Sequence, residues 1–218
     1  MDNSTDLRDL IAQSAALSRM IADSGGIPFA QVVEGATSFP VHPIDDSDAE
    51  VVARMDAVFR FILEGYETTE AGFEISSRVI EDQISDAINC KAVATTLVCD
   101  KPRNVSGKYQ ASGYPDLALT CTTTGRVYYL SISTCTRRAL NSSLRTLYYS
   151  PSALTGKVTS SARHCMIVFL RETVEPGAEV LTGFRFVDLA KVKLSFKAEF
   201  NAGNRALIRC ESILRTCD

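Results

Sequence analysis

The feature that most constrains the fold is the run from Gly113 to Thr134, GYPDLALTCTTTGRVYYLSIST. Apolar and polar residues alternate ahead of a Thr/Gly turn, and a nearly continuous apolar stretch of strand length follows from Val127 to Ile132. This pattern predicts a hairpin whose second strand is buried. Pro115 donates no backbone hydrogen bond, so it suits the first residue of a strand and leaves Asp116 near an open end.

Composition is typical of a globular protein of one domain. The chain has 218 residues, of which 45% are hydrophobic and 22% charged, enough for one well-buried core. We expect a helical N-terminal part (1–68), a core (69–200) and a C-terminal extension (201–218). A net charge of −3 gives no overall attraction to nucleic acid, although a local basic face can still bind phosphates.

Cysteine usage and hydropathy favour a cytoplasmic protein. The 7 cysteines are dispersed and form no C-x-x-C pair, so they predict neither a zinc site nor a disulfide framework, and a reducing compartment suits them best. We expect no membrane association, because no apolar run approaches the roughly 20 residues that cross a bilayer.

The first 90 residues predict three helices. Apolar spacing indicates one from Thr5 to Asp23, a second from an Asp46, Ser47 or Asp48 cap to about Glu64, and a third over residues 69–89, while residues 27–43 read as an irregular connection. On the outer side of the third helix, polar side chains recur at helical spacing, which suits either a solvated face or a functional edge. They are Glu74, Arg78, Glu81 and Asp82.

Basic residues are concentrated after the hairpin. No acid interrupts the chain between Asp116 and Glu172, and five cations between residues 137 and 163 mark an anion-facing surface. They are Arg137, Arg138, Arg145, Lys157 and Arg163. Two further basic features stay open between phosphate binding and simple solvation. One is the loop from Lys101 to Gly113, and the other is a lysine face predicted on an alternating strand over residues 189–200, with Lys191, Lys193 and Lys197.

A third buried strand is predicted over residues 164–170, HCMIVFL, where His164 reads as a core histidine. The order of elements, with an acid-bearing helix, a strand opened by Pro-Asp, a second strand and a basic crossover, resembles the PD-(D/E)XK nucleases, and type II restriction endonucleases in particular. The segment 144–151, LRTLYYSP, also resembles sequences of type II restriction endonucleases. The resemblance implies an α/β fold with a mixed central sheet flanked by helices and with N-terminal helices.

The resemblance fails at one informative place. Where the family carries Glu-x-Lys, this chain reads Ser131-Ile132-Ser133. The family uses acids and a lysine with Mg²⁺, so the resemblance implies that another acid and another lysine replace them, the lysine being Lys157 or one from the lysine face. The implied catalytic set is Asp116, Ser131, Ser133, Glu81 and Glu74, with Asp116 and Glu81 as metal ligands and the five cations between residues 137 and 163 as DNA contacts.

The function implied by the resemblance is Mg²⁺-dependent cleavage of double-stranded DNA by a homodimer, within a restriction-modification pair that includes a methyltransferase. Two alternatives remain open at this point. The serines favour a catalytically inactive nuclease-fold protein that only binds DNA. A third hypothesis is an unrelated α/β protein in which Asp116 caps a turn beside Gly113.

Overall fold

The computed structural model describes residues 3–67, 75–90, 96–142, 146–151, 156–175 and 178–196. The chain divides into two compact units, one formed by residues up to 27 together with those from 193 on, and the other by residues 28–192. Among the described residues, no helix combines the length and the apolar character that a membrane span requires.

Four helices are described. They are α1 (Asn3–Asp23), α2 (Phe29–Thr37), α3 (Ala49–Glu67) and α4 (Ser77–Asn89). The cap of α4 is Ser76, whose hydroxyl accepts the Val79 amide hydrogen. The 3-10 turn Asp46–Asp48 begins with a capping box, in which the Asp45 side chain accepts the Ser47 amide hydrogen and the Asp48 side chain accepts the Asp45 amide hydrogen. Helix α3 begins at Ala49, directly after the predicted cap positions.

Helix α2 corrects the prediction of an irregular connection over residues 27–43. Phe29 and Val33 lie one turn apart and are completely buried, which supplies the packing that stabilises so short a helix. Pro28 stands just ahead of the first turn, where a missing N–H costs nothing. The helix ends at Ser38, which adopts a left-handed φ of 64°. The prolines therefore bound this helix and do not exclude it.

Eight strands are described. They are β1 (Ile27–Pro28), β2 (Val41–His42), β3 (Leu97–Asp100), β4 (Leu117–Cys121), β5 (Val127–Thr136), β6 (Ala162–Glu175), β7 (Ala178–Asp188) and β8 (Lys193–Leu194). In the main sheet the order is β2-β6-β5-β4-β3, with β7 also paired to β6. Strands β4 and β5 form the predicted antiparallel hairpin, whereas β5 and β6 run parallel. The mixed α/β sheet expected from the sequence is confirmed.

The core lies where α3 and α4 pack on one face of this sheet. Phe59 of α3 packs edge-on against Phe169 of β6 and Phe186 of β7, at centroid distances of 6.2 and 5.2 Å. Ile80 and Ile84 of α4 are completely buried in the same cluster. Helix α4 is therefore fixed against the sheet, and its polar edge stands beside the Pro-Asp strand.

Residues 189–196, the described part of the predicted lysine face, do not form one continuous extended strand. Leu189–Lys191 is a 3-10 turn, capped by the Asp188 side chain through the Ala190 amide, and only Lys193–Leu194 is strand. The ammonium of Lys191 lies 3.4 Å from Asp188, and residues 197–200 lie outside the described part of the chain. The local cap overrides the alternating pattern because an Asp side chain offers the backbone a competing hydrogen bond.

Candidate active site

Asp116 stands immediately before β4, following a cis Tyr114–Pro115 peptide bond. Its amide donates to the Leu130 carbonyl at 3.0 Å. Its carboxylate oxygen Oδ2 accepts the Ser131 hydroxyl at 2.9 Å and the Ile132 amide at 2.7 Å. The backbone and the carboxylate of Asp116 are thus both hydrogen-bonded to β5. The carboxylate does not cap a turn at Gly113.

Glu81 reaches the same region from α4. Its side chain is only 17% exposed and lies 3.4 Å from the ammonium of Lys101, which also pairs with Asp82 at 2.7 Å. Burial raises the pKa of Glu81 above its usual range, and the negative charges of Asp116 and Asp82 add to this against the opposing effect of Lys101.

Lys157 lies in the crossover between β5 and β6 and is 3% exposed. Its Nζ donates to the Gln110 carbonyl at 3.4 Å. Burial lowers the pKa of Lys157, while the charges of Asp116 and Glu81 act in the opposite direction. A buried amine close to two acids is an uncommon arrangement, since lysine is almost never fully buried without a partner.

These three groups line one cleft of about 470 Å³. Of the predicted site residues, the structure brings together Asp116, Glu81 and Lys157, with Ser131 bonded to the first of them. Ser133 is not among the described residues that line the cleft. Glu74 lies outside the described part of the chain.

The 101–113 loop forms one wall of the cleft, which sequence reasoning did not foresee. Lys101, Tyr109 and Gln110 line the cleft, and the Arg103 guanidinium stacks over the Tyr109 ring at 3.9 Å from its centroid. The single signal in the sequence was the aromatic residue within a basic loop.

The predicted DNA contacts separate into different environments. Arg138 is exposed, and Arg137 pairs with Glu172 at 2.9 Å while its guanidinium also donates to Thr182. Arg163 is 11% exposed and bonds to the fully buried Asp48 at 2.6 Å. No local sequence pattern predicts this pair, because the two residues lie far apart in the chain. Arg145 lies outside the described residues.

Asp48 is the centre of an internal network. It accepts Arg126 at 3.0 Å and the Tyr128 hydroxyl at 2.6 Å in addition to Arg163. Burial acts to raise the pKa of Asp48, but the hydrogen bonds of Arg163, Tyr128 and the Asp45 backbone outweigh it and the pKa is lowered. The network joins the turn before α3 to β5 and β6.

His164 is completely buried, as predicted for a core histidine. Its Nδ1 and the Tyr114 hydroxyl lie 2.7 Å apart in a hydrogen bond, and Nε2 is buried with no partner. Burial lowers the pKa of His164 to about 4, so the ring is neutral at physiological pH.

Comparison with known proteins decides the family. The model of the type II restriction enzyme MjaV family matches residues 22–211. The chain belongs to this family. The type II restriction enzyme MjaV of Methanocaldococcus jannaschii is 31% identical over 205 residues, which cover 85% of each chain. No solved structure gives a significant match. Membership of the MjaV family supports a restriction-endonuclease-like function within restriction-modification, in agreement with the resemblance noted from the sequence.

Proposed function

We propose that this chain is a PD-(D/E)XK-type restriction endonuclease that hydrolyses phosphodiester bonds of duplex DNA with Mg²⁺. The observation that carries the proposal is that Asp116, Glu81 and Lys157 line one cleft, although they come from three distant parts of the chain. Two carboxylates and a lysine are the groups that metal-assisted phosphodiester hydrolysis requires.

The donor set fits Mg²⁺. No group of three or more His, Cys, Asp and Glu side chains suited to a metal occurs among the described residues, so the site offers two carboxylates. Mg²⁺ in enzymes is commonly held by one or two carboxylates, waters and substrate phosphate oxygens, which is compatible with Asp116 and Glu81. Burial is the main cause of the raised pKa of Glu81, and a bound cation would favour the charged form of this carboxylate.

The residues of the site divide the chemistry. Mg²⁺, when bound, lowers the pKa of water and offsets charge on the phosphate. Ser131 and the Ile132 amide fix the orientation of Asp116 through Oδ2. Lys157 orients the attacking water and can hold its proton at Nζ, because a buried lysine releases its own proton more readily than an exposed one.

Lys157 thereby replaces the lysine that PD-(D/E)XK nucleases carry on the second strand of the hairpin. Ser133 occupies that position here and has no charge. The replacement comes from the crossover that follows β5, and its Gln110 contact holds it in the cleft. A lysine from a different segment of the chain can serve the same reaction if its Nζ lies at the same position in the site.

DNA contacts are assigned to Arg138 and, less directly, to Arg137. Both arginines directly follow β5. The last residue of β5, Thr136, lies about 13 Å along the strand from Ile132, at roughly 3.3 Å per residue. Arg163 is left out because Asp48 already binds its guanidinium. Cutting both strands of a duplex is simplest for two sites related by symmetry, so we include a homodimer in the proposal, and a cognate methyltransferase to protect the host.

The second candidate is a nuclease-fold protein that binds DNA without cutting it, which the Ser131-Ile132-Ser133 sequence favours. The test incubates the purified protein and its Asp116→Asn variant with several natural DNAs in Mg²⁺ or Mn²⁺. Discrete fragments from wild type and none from the variant are expected. Intact DNA despite duplex binding at low salt would support the second candidate, and cleavage by Ser131→Glu/Ser133→Lys would then identify a disabled site.

A further inference from the structure

A second pocket of about 270 Å³ opens beside the active-site cleft. Gln110 and Lys157 line both spaces, so the pocket and the cleft are direct neighbours. Its walls include three tyrosine rings, Tyr114, Tyr148 and Tyr149. None of these tyrosines has a part in the hydrolysis proposed above.

Two of the rings are held rigidly. Tyr114 is 8% exposed and packs edge-on against Tyr149, with centroids 5.8 Å apart and planes at 74°. Phe29 supports both, at 5.6 Å from Tyr114 and 6.1 Å from Tyr149. Tyr148, the third, is 63% exposed. Aromatic walls held in this way suit a flat ring, because stacking requires little reorganisation.

The polar groups of the pocket are mostly neutral. Gln110 and Ser112 lie on its lining, and the Gln110 amide donates to the Ser112 carbonyl at 3.1 Å. Lys157 is the single cation among the described residues that line the pocket, and no carboxylate is among them. Amide and hydroxyl groups can both donate and accept, which matches the edge of a heterocycle better than a phosphate.

We propose that this pocket takes one nucleobase of the DNA strand in the active-site cleft, turned out of the duplex. The proposal rests on the proposed nuclease function. A base inside a duplex cannot reach these rings, whereas an extruded base gains stacking on tyrosine and hydrogen bonds along its edge. Because Gln110 and Lys157 border both spaces, the base and the backbone of the same strand segment can be held together.

The test first defines the bound sequence by selecting duplexes from a randomised pool in Ca²⁺ at low salt. Cleavage of the selected duplex in Mg²⁺ then tests the proposed function separately. Duplexes carrying 5-iodouracil at each position of the site in turn are next irradiated with the wild-type protein, because this base crosslinks to an aromatic ring stacked on it. Mass spectrometry identifies the crosslinked residue.

A crosslink to Tyr148 or Tyr149 from one position of the site is expected, together with a loss of that crosslink and about tenfold weaker binding in Tyr148→Ala. Phe61→Ala is the matched control, since Phe61 is an exposed aromatic residue of α3, at 55%, and lines neither the pocket nor the cleft; it should keep the crosslink. Cleavage without a crosslink to either tyrosine overturns the pocket proposal alone. Failure to select any duplex overturns both proposals.

Discussion

The Ser131 hydroxyl donates to Oδ2 of Asp116 at 2.9 Å, at the position where the PD-(D/E)XK motif of the proposed nuclease type has an acid. We predict that Ser131→Ala lowers kcat for DNA cleavage by about tenfold, because one hydrogen bond to a charged group is lost. Ser131→Thr keeps the hydroxyl and should retain most activity. Single-turnover cleavage measures both, and wild-type rates in Ser131→Ala would show that the bond does not orient Asp116.

Lys157→Met keeps the aliphatic stem but removes the ammonium, and we predict at least a hundredfold loss of the cleavage rate. Adding Ser133→Lys to this variant should restore part of the rate, since it places a lysine at the strand position of the lysine in the PD-(D/E)XK motif. The same rate in Lys157→Met as in wild type would contradict the assignment. DNA affinity at low salt and thermal melting show whether either variant has lost its fold.

Arg138 and Arg163 are both arginines of the basic segment, but their environments predict opposite effects. Arg138→Ala should weaken duplex binding and reduce the slope of log K against log salt by about 1, as expected for one phosphate contact. Arg163→Ala should leave that slope unchanged and instead lower the free energy of unfolding by about 2 kcal/mol, because the fully buried Asp48 loses one of its two guanidinium partners and keeps only Arg126. Binding titrations and urea unfolding separate the two.

Stability should depend on pH through His164. Its pKa is about 4 in the folded protein against 6.5 for a free histidine, so the unfolded state binds more protons below pH 6.5. The contribution of neutral His164 is complete above pH 6.5 and lost as pH falls towards 4, which amounts to about 2 kcal/mol between pH 8 and pH 5. Urea unfolding at both pH values measures it. His164→Gln, which cannot titrate, should lose less over this interval, and an equal loss would contradict the assignment.

Local patterns in the sequence predicted the hairpin of β4 and β5 and the buried strand β6. Strand alternation and turn residues are local signals, so the position of Asp116 at the head of a strand followed from Pro115 and the residues after it. Helix α2 was missed because its stabilisation comes from burying Phe29 and Val33, which is a tertiary effect.

The site itself depended on long-range placement. Glu81 and Lys157 were candidates among several acids and lysines, and no local pattern distinguishes Lys157 from the lysine face at residues 189–200. In the structure Lys157 lines the cleft with Asp116 and Glu81, whereas Lys191 lies in the 3-10 turn capped by Asp188. The buried pairing of Arg163 with Asp48 was equally invisible, since the two residues lie far apart in the chain and contact only in the folded state.

The parallel pairing of β5 with β6 also sets the order in which the site can be assembled. The hairpin that carries Asp116 and Ser131 closes through a short turn, whereas Lys157 belongs to a long crossover that reaches its place only when β6 docks beside β5. Loop closure of local contacts precedes distant pairing in most chains. A nascent or partly folded molecule would therefore hold Asp116 in position before Lys157, and the two groups would share one cleft only after the last, non-local step of folding.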